Sequence, residues 1–383
     1  MKMKNKADVV VIGGGVVGNS IAFNLAKEGV KDVVVLEKEY LNSGASGRCG
    51  AGIRQQWGTE MNCRLAKASM DIFENINEEL GVDRDIELKQ GGYLLLAYSD
   101  KEIEQFRKNI KLQNSLDIPS REISLEEVKE LVPYVNLEGV VGATYCPTDG
   151  HANPFHTTFA YAEAAQKLGV EINTYTEALD IKVENGKIIG VETNKGFIET
   201  DKVVNAAGGF AKEIGKMAGI DIPVRPERHE IMVTEKVNPL QKPMVMSFSY
   251  DIYCQQTPDG SFIMGYGPED PPESHSRKSS WHFMEKMAHK TTNLLPKLRE
   301  LRAIRQWAGS YTMTPDSQPI IDGSDKVKGF YMAVGFSGHG FMMSPMTGKI
   351  LAEMITGKEP TIDLNLTLKR FEKGNLILEP SVV

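Results

Sequence analysis

The start of the chain alternates short apolar runs with one amphipathic stretch. Residues 9–12 form an apolar run bounded by glycine, which predicts a buried parallel strand. A helical pattern that includes Ile21 and Leu25 stops at Gly29, and residues 33–36 form a second apolar run. This order predicts a strand, a helix and a second strand, as at the start of a parallel α/β sheet.

Three further helices are predicted before the middle of the chain. Residues 60–80 show a helical pattern. A capping box at residues 124–127 opens a short helix that Pro133 ends. Residues 153–154 are Asn-Pro, a helix cap followed by proline at the first helical position, and this helix runs to Gly169.

Strand signals dominate from residue 170 onward. Residues 185–186 (Asn-Gly) and 194–196 (Asn-Lys-Gly) predict two hairpin turns. Residues 203–209 (VVNAAGG) predict a strand that runs into a glycine turn, and residues 221–320 mix strand-like runs with a polar helix at 274–295. We therefore predict an α/β fold, in which a Rossmann-like domain is interrupted by a largely antiparallel β substrate domain.

A Gly-x-Gly-x-x-Gly motif follows the first predicted strand. Gly13 permits the tight turn, Gly15 lets the backbone approach a pyrophosphate, and Gly18 lets helix and strand pack closely. The helix N-terminus offers free N–H groups to phosphates, and Glu37 would accept hydrogen bonds from a ribose hydroxyl. The whole unit predicts dinucleotide binding and leaves FAD and NAD open.

A second glycine-rich segment, GFSGHGFMMSPMTG, occupies residues 335–348, close to the C-terminus. Ser344 and Pro345 predict the cap and first turn of a helix over 346–355, which Gly357 closes. A loop of small residues also occupies positions 42–57, where backbone could lie against a flat ligand. Two glycine loops this far apart predict one ligand long enough to need both.

Composition narrows the function classes. The 383 residues suffice for about two domains. A net charge of −7 argues against a nucleic-acid partner. No window of about 18 apolar residues predicts a membrane span, and no signal peptide is recognisable. The four cysteines are scattered and no metal-binding motif is present, which favours a cytoplasmic protein with reduced thiols and no metal site.

In this order, the motifs resemble those of the D-amino-acid-oxidase-like flavoproteins of the glutathione-reductase fold class. The resemblance covers essentially the whole chain, and its markers are the Gly13–Gly18 motif with Glu37, SGRCGAGIRQQW, VVNAAGG, RQWAGSYTMTPDSQPIID and GFSGHGF. Within the family, RCGAGIRQQ and GFSGHGFMM look most like the β subunits of dye-linked L-proline dehydrogenase, followed by those of heterotetrameric sarcosine oxidase. The resemblance implies a discontinuous FAD-binding domain (1–90, 145–220 and 321–383) and a substrate domain (91–144 and 221–320).

The resemblance also implies FAD rather than NAD. The first glycine loop would hold the ADP half, and the C-terminal loop would lie against the isoalloxazine ring, where the dipole of the helix after it would stabilise the reduced flavin. The implied cofactor-binding residues are Gly13, Gly15, Val16, Val17, Gly18, Glu37, Lys38, Gly44, Ala45, Ser46, Arg48, Cys49, Gly50, Gly52, Ala178, Ala207, Gly208, Gly338, Gly340, Phe341 and Met342.

The implied reaction is the oxidation of an amino acid to an imine, with hydride transfer to the flavin N5. Arg54 matches the family position that grips the substrate carboxylate, although a surface or phosphate-contacting arginine is an open alternative. Tyr311 and Tyr253 match pocket tyrosines or are core residues. His339 either hydrogen-bonds in the active site or only braces its loop.

Three departures from the monomeric sarcosine oxidases favour a dehydrogenase. Their oxygen-activating lysine is replaced by Ile263 or Met264, and a carboxylate-binding lysine by Met342. Their flavin-linking cysteine is absent, since Gly309 and Ser310 precede Tyr311, so FAD is expected to be noncovalent. Electrons would then pass to partner subunits carrying further redox centres, with FMN at the interface as an open option.

The leading hypothesis is the catalytic FAD subunit of a hetero-oligomeric dehydrogenase acting on a small amino acid, with L-proline slightly ahead of sarcosine. The nearest alternative is a self-sufficient oxidase that produces hydrogen peroxide. A tRNA-modifying flavoprotein is disfavoured by the acidic charge balance. A noncatalytic flavin-binding scaffold is mildly disfavoured, because Arg54 and Tyr311 are retained.

Overall fold

Strands form the framework of the molecule. The computed structural model describes residues 3–267 and 273–380. The strands of this part are β1 (Val9–Ile12), β2 (Val33–Leu36), β3 (Gly52–Ile53), β4 (Tyr93–Ala97), β5 (Arg121–Ile123), β6 (Gly142–Cys146), β7 (Gly150–His151), β8 (Glu171–Asn173), β9 (Ala178–Glu184), β10 (Lys187–Thr193), β11 (Gly196–Glu199), β12 (Val203–Asn205), β13 (Arg225–Thr234), β14 (Met244–Ser247), β15 (Ile252–Gln256), β16 (Phe262–Gly265), β17 (Ala303–Met313), β18 (Ile320–Gly323) and β19 (Phe330–Val334).

Helices pack against both large sheets. The α-helices of the described residues are α1 (Val16–Lys27), α2 (Glu60–Glu74), α3 (Ile76–Leu80), α4 (Asp100–Asn114), α5 (Leu125–Leu131), α6 (Pro154–Lys167), α7 (Ala211–Met217), α8 (Trp281–Leu294), α9 (Gly340–Ile355) and α10 (Lys369–Glu372). None of these described helices is long and apolar enough to cross a membrane. All four cysteines are free thiols.

The first large sheet contains both strands predicted at the start of the chain. Its order is β18-β19-β12-β1-β2-β8, and every neighbouring pair is parallel except β18 with β19. Alternate residues of β1 enter two cores: Val9 and Val11 pack with α1, α2, α6 and α9, whereas Val10 and Ile12 pack toward the β9–β11 sheet. Burial on both faces explains why β1 and β2 are apolar throughout.

The second large sheet has the order β17-β13-β16-β15-β14-β4-β6-β5. All its pairs are antiparallel except β14 with β4, which confirms a mainly antiparallel sheet. Helix α8 contacts β13, β15 and β16. Because β4–β6 and β13–β17 lie between chain segments of the first sheet, this sheet interrupts the Rossmann-like part. The exact domain boundaries remain a proposal.

Two predicted helices have different bounds. The helix predicted over 60–80 breaks at Asn75 into α2 and α3. The polar helix predicted over 274–295 begins only at Trp281, because Ser280 caps it by accepting from the Phe283 N–H at 3.1 Å. The stretch before Ser280 is extended instead, and the Ser274 N–H donates to the Pro226 carbonyl.

The start of the last long helix was also predicted wrongly. Helix α9 begins at Gly340 and not at Met346, so Pro345 lies inside the helix instead of in its first turn. Proline has no N–H for the carbonyl four residues earlier, that of Phe341. The hydroxyl of Ser344 donates to this carbonyl at 2.8 Å, which removes the cost of the missing backbone bond. The helix therefore starts six residues nearer the GFSGHG turn.

The other turn and cap predictions hold with one exception. Asn185 and Gly186 have φ of 50° and 71°, as the β9–β10 hairpin requires, and the Asn153 side chain caps α6. Ser124 accepts from the Glu127 N–H at 3.2 Å, as predicted. The carboxylate of Glu127 pairs with Arg121 instead of closing the capping box.

Candidate active site

A cavity of about 760 Å³ extends along the ends of both large sheets. Its lining includes Ile12 of β1, Glu227 of β13, Tyr311 of β17 and Ala333 of β19. Both glycine-rich loops border it, as do the small residues that follow β2. One elongated ligand could therefore contact both loops at once.

Most of the predicted site residues line this cavity. They are Arg54, Tyr253, Tyr311, His339, Gly13, Gly15, Val16, Val17, Glu37, Lys38, Gly44, Ala45, Ser46, Arg48, Cys49, Ala178, Ala207, Gly208, Gly338, Gly340 and Phe341. Gly18, Gly50, Gly52 and Met342 do not line it. An added Cβ at Gly18 would lie 1.9 Å from the Gly13 carbonyl oxygen, and one at Gly52 would lie 1.8 Å from the Tyr93 hydroxyl, so these two glycines permit close packing behind the cavity. Met342 belongs to the buried core.

One end of the cavity is formed by the turn between β1 and α1. Gly13 has φ +120°, and an added Cβ would lie 2.3 Å from the Ala206 carbonyl oxygen, so only glycine fits there. No side chain caps α1 at Gly15. Apart from the Val16 N–H, which donates to the Ser46 hydroxyl at 3.0 Å, the first turn has N–H groups for an anionic ligand.

Glu37 also braces the first glycine loop, a role that the sequence did not reveal. Its carboxylate accepts from the N–H of Gly14 at 2.9 Å, the N–H of Glu39 at 2.9 Å and the Ser43 hydroxyl at 3.2 Å. Three donors hold the carboxylate in one position at the end of β2. A ribose hydroxyl would meet an acceptor that is already oriented.

The same end contains residues that sequence analysis missed. Arg277 forms a bidentate pair with Glu39, at 2.8 Å for both bonds, and lowers the pKa of the Glu39 carboxyl. The Lys38 ammonium lies 3.1 Å from the ring centroid of Phe210. The His275 ring stacks on the same Phe210 ring, with centroids 4.1 Å apart. His275 and Arg277 lie in the extended stretch before α8, where a helix was predicted, so no local pattern indicated them.

Arg54 lies at the other end of the cavity, immediately after β3. Its side chain is 2% exposed, and its guanidinium lies 3.9 Å from the ring centroid of Trp57 and 5.5 Å from that of Phe248. Its Nη1 donates to the Gln56 carbonyl at 2.6 Å. Within the described residues no carboxylate lies in ion-pair contact with Arg54, so donors are left for a ligand. Burial lowers the pKa of Arg54, and the nearby Glu379 and Asp149 carboxylates oppose this.

His339 lies beside this arginine at the start of α9. Its ring meets the Trp57 ring edge-on, with centroids 4.6 Å apart. Burial, and then the Arg54 charge, lowers the pKa of His339 to about 3. The imidazole is therefore neutral near pH 7 and does not compete with Arg54 for a carboxylate.

Two tyrosines complete this end. Tyr311 stacks on His229 with centroids 3.8 Å apart, and burial raises the pKa of Tyr311 to about 12. Burial also raises the pKa of Tyr253. An added Cβ at Gly338 would lie 2.4 Å from the Tyr311 ring, so the C-terminal loop passes directly over that ring. Both phenols are neutral hydrogen-bonding groups near pH 7.

Comparison with known proteins places this arrangement among redox enzymes. Residues 8–354 match the DAO family, described as FAD dependent oxidoreductase. The crystal structure of L-proline dehydrogenase from P. horikoshii has a TM-score of 0.93 and 40% sequence identity, covering 98% of this chain and 100% of that one. Glycine oxidase from Geobacillus kaustophilus has a TM-score of 0.88 and 26% identity, covering 96% and 99%. Sarcosine oxidase subunit beta from Arthrobacter sp is 30% identical over 383 residues, which cover 98% of this chain and 94% of that protein.

Proposed function

The chain belongs to the DAO family of FAD-dependent oxidoreductases, and from this premise we propose that it is the catalytic FAD subunit of an amino-acid dehydrogenase. Its substrate would be a secondary or N-methyl amino acid, with L-proline ahead of sarcosine. The similarity to L-proline dehydrogenase at 40% identity supports the first substrate, and the similarity to a sarcosine oxidase subunit supports the second.

Arg54 is the observation that carries this proposal. A buried guanidinium is costly unless it has a partner, and Arg54 has only one protein acceptor for its five N–H donors among the described residues. A substrate carboxylate would supply the missing charge and a bidentate contact. The Phe248 ring, which lines the cavity 5.5 Å from the guanidinium, would cover the apolar part of a small ring or N-methyl group.

The cavity fits FAD, the cofactor of the family. Gly13 and Gly338 let the two loops pack closely against Ala206 and Tyr311, and both loops border one continuous cavity. Arg48 also lines it, and its buried Nε has no partner among the described residues, as expected where a ligand supplies the acceptor. When bound, FAD supplies the two-electron acceptor for a hydride leaving the substrate carbon next to nitrogen.

The surrounding side chains would orient the substrate. Arg54 holds the carboxylate and so fixes which face of the substrate turns toward the cavity. His339, neutral near pH 7, leaves the carboxylate to Arg54, and the phenols of Tyr253 and Tyr311 can hydrogen-bond without a charge. The substrate amine must enter deprotonated, because only the neutral amine can form the imine when hydride leaves.

Four positions favour a dehydrogenase with noncovalent FAD. Ile263, on β16 near Gly50, carries no charge where the monomeric oxidases have lysine. Gly309 and Ser310 line the cavity where those oxidases attach the flavin. Cys49 also lines it, but burial raises the pKa of its thiol to about 11, which makes it a poor nucleophile near neutral pH. A partner subunit would then receive the electrons, and we place the complex in the cytoplasm.

An anaerobic titration of the purified chain tests the proposal. The absorbance of bound flavin is recorded while L-proline, sarcosine, glycine and other N-alkyl amino acids are added in turn, and air is then admitted. We expect bleaching by L-proline or sarcosine with slow recovery in air. Rapid recovery with peroxide would make the protein an oxidase. Bound flavin that no amino acid bleaches, alone or with candidate partner subunits, would contradict the catalytic role.

A further inference from the structure

The segment that carries Arg54 is held from behind by two buried carboxylates. Asp149 is fully buried and accepts from the Gln55 N–H at 2.8 Å and from the Gln56 side-chain amide at 3.1 Å. Glu379 is 2% exposed and accepts from the Gly58 N–H at 2.7 Å. The residues held by Asp149, Gln55 and Gln56, precede Trp57, and the residue held by Glu379, Gly58, follows it.

Glu379 also fixes the start of helix α2. Its second carboxylate oxygen accepts from the Thr59 hydroxyl and from the Asn62 side-chain amide, both at 2.8 Å. Thr59 is the N-cap residue of α2, yet its side chain does not cap the helix because the hydroxyl is turned to Glu379. A carboxylate near a helix N-terminus is also favoured by the helix dipole. Glu379 thus holds three residues at the start of α2, Gly58, Thr59 and Asn62, without accepting from an N–H group of the first helical turn in these bonds.

The connection from Glu379 to Arg54 passes through Trp57. The Trp57 indole N–H donates to the Arg54 carbonyl at 2.9 Å, and its ring lies under the guanidinium. Gln113 donates to the Trp57 carbonyl at 2.7 Å. With Gly58 held by Glu379, Trp57 is fixed on both sides, and this fixes the platform on which Arg54 lies.

The tail that brings Glu379 here is anchored by a second buried pair. Arg370 donates to the Asp316 carboxylate at 2.8 Å and 3.0 Å, and both side chains are almost fully buried. The Ile377 N–H donates to the same carboxylate at 3.2 Å. The chain therefore follows a defined path from α10 through Ile377 to Glu379, at the back of the proposed active site.

Charge explains why carboxylates suit these two positions. Both lie close enough to stabilise the buried Arg54 cation, yet the hydrogen bonds described above come from backbone N–H, amide and hydroxyl groups and not from the guanidinium. A direct ion pair would occupy the donors that the substrate needs. Carboxylates that lie behind Arg54 without bonding to it leave the guanidinium donors free, and their negative charge reduces the cost of burying the guanidinium.

We propose that Glu379, assisted by Asp149, is a positioning residue for substrate recognition: it holds the Arg54–Thr59 segment so that the guanidinium is presented to the carboxylate of the substrate. This inference rests on the proposed function for the identity of the substrate. It assigns a role at the active site to the C-terminal tail, which is more than 300 residues from Arg54 in sequence.

The test compares Glu379→Gln and Asp149→Asn with the parent holoprotein. Glu372→Gln is the matched control, since Glu372 lies in the same tail but pairs with Lys326 on the surface. Anaerobic flavin bleaching gives the apparent dissociation constant and the limiting rate for L-proline and for pyrrolidine, which lacks the carboxylate. Binding of tetrahydro-2-furoate, which has the ring and carboxylate but no amine, is followed by the flavin absorbance shift.

For both test variants we expect about a tenfold weaker binding of proline and of tetrahydro-2-furoate. FAD content, the limiting bleaching rate and the response to pyrrolidine should stay within about twofold of the parent. Unchanged carboxylate binding in Glu379→Gln would overturn the inference, and so would equal losses for proline and pyrrolidine. If the parent binds tetrahydro-2-furoate but no amine bleaches its flavin, the proposed function fails. The comparison of tetrahydro-2-furoate binding between parent and variants still decides the role of Glu379.

Discussion

The two ends of the cavity are constructed differently. The end that we propose for the dinucleotide is centred on one continuous stretch, from β1 to Glu37, which uses backbone N–H groups and the absence of side chains, and Phe210, His275 and Arg277 complete it. The end that we propose for the reaction combines side chains from four distant segments: Arg54 is buried, and Tyr253, Tyr311 and His339 are partly buried along the cavity wall. The first kind of site depends on local backbone geometry, and the second depends on long-range packing and charge.

The difference between the two ends predicts that the substitution with the largest effect is one that disturbs the backbone of the first glycine loop. Gly13→Ala places a Cβ 2.3 Å from the Ala206 carbonyl in a strained backbone conformation, so the first loop must move. We expect the purified variant to retain less than about a tenth of the FAD of the parent, measured by the ratio of flavin to protein absorbance. Gly29→Ala is the control, because Gly29 also has a positive φ (+92°) but nothing within 4 Å. Equal FAD content in the two variants would contradict this account of Gly13.

At the reaction end, we expect the cofactor to stay and the substrate to be lost. Arg54→Met removes a charged hydrogen-bond donor worth roughly 1.5–3 kcal/mol, which corresponds to about a ten- to hundredfold lower kcat/KM. FAD content should remain that of the parent. Arg64→Met is the control, since Arg64 pairs with Glu60 on the surface of α2. Unchanged kinetics in Arg54→Met would exclude the carboxylate role.

A smaller effect should appear in the pH dependence of stability. The pKa of His339 is about 3 in the folded state and about 6.5 when unfolded, so the unfolded state binds more protons below pH 6.5 and acid favours unfolding. This costs about 1.4 kcal/mol per pH unit below 6.5. Between pH 7 and 5 the parent should therefore lose roughly 2 kcal/mol more than His339→Gln, measured by denaturant unfolding. The exposed His282→Gln should follow the parent, and parallel curves for all three proteins would refute the burial of a neutral His339.

The smallest effect concerns α9, the helix that follows the C-terminal glycine loop. Ser344→Ala leaves the Phe341 carbonyl inside α9 without the hydroxyl that compensates for Pro345. We expect a loss of about 1 kcal/mol in the free energy of unfolding, with FAD still bound. Ser115→Ala is the matched control: its hydroxyl makes the same bond to the carbonyl three residues earlier, at 2.7 Å, but on the surface of the protein. An equally small loss of stability in both variants would show that burial of the Phe341 carbonyl does not increase the contribution of this hydrogen bond to the free energy of unfolding.

Sequence alone determined the parts that depend on neighbouring residues. The β1-α1-β2 unit has its predicted bounds to within a few residues, because an apolar run, a glycine turn and an amphipathic period are local properties. The hairpin at Asn185-Gly186 and the Asn153 cap follow from the same local preferences. The family resemblance was confirmed over residues 8–354 for the same reason, since its markers are short ordered motifs.

Tertiary structure alone decided what depends on distant partners. Helix α9 could start at Gly340 because Ser344 compensates for a proline that the sequence pattern placed in the first turn. The stretch before Ser280 is not helical, because Glu273 and Ser274 pair with β13 and Arg277 pairs with Glu39. Glu379 gave no sign of its position behind Arg54. Burial and charge act through space, so only the folded chain shows which carboxylates support the arginine and which lie in solvent.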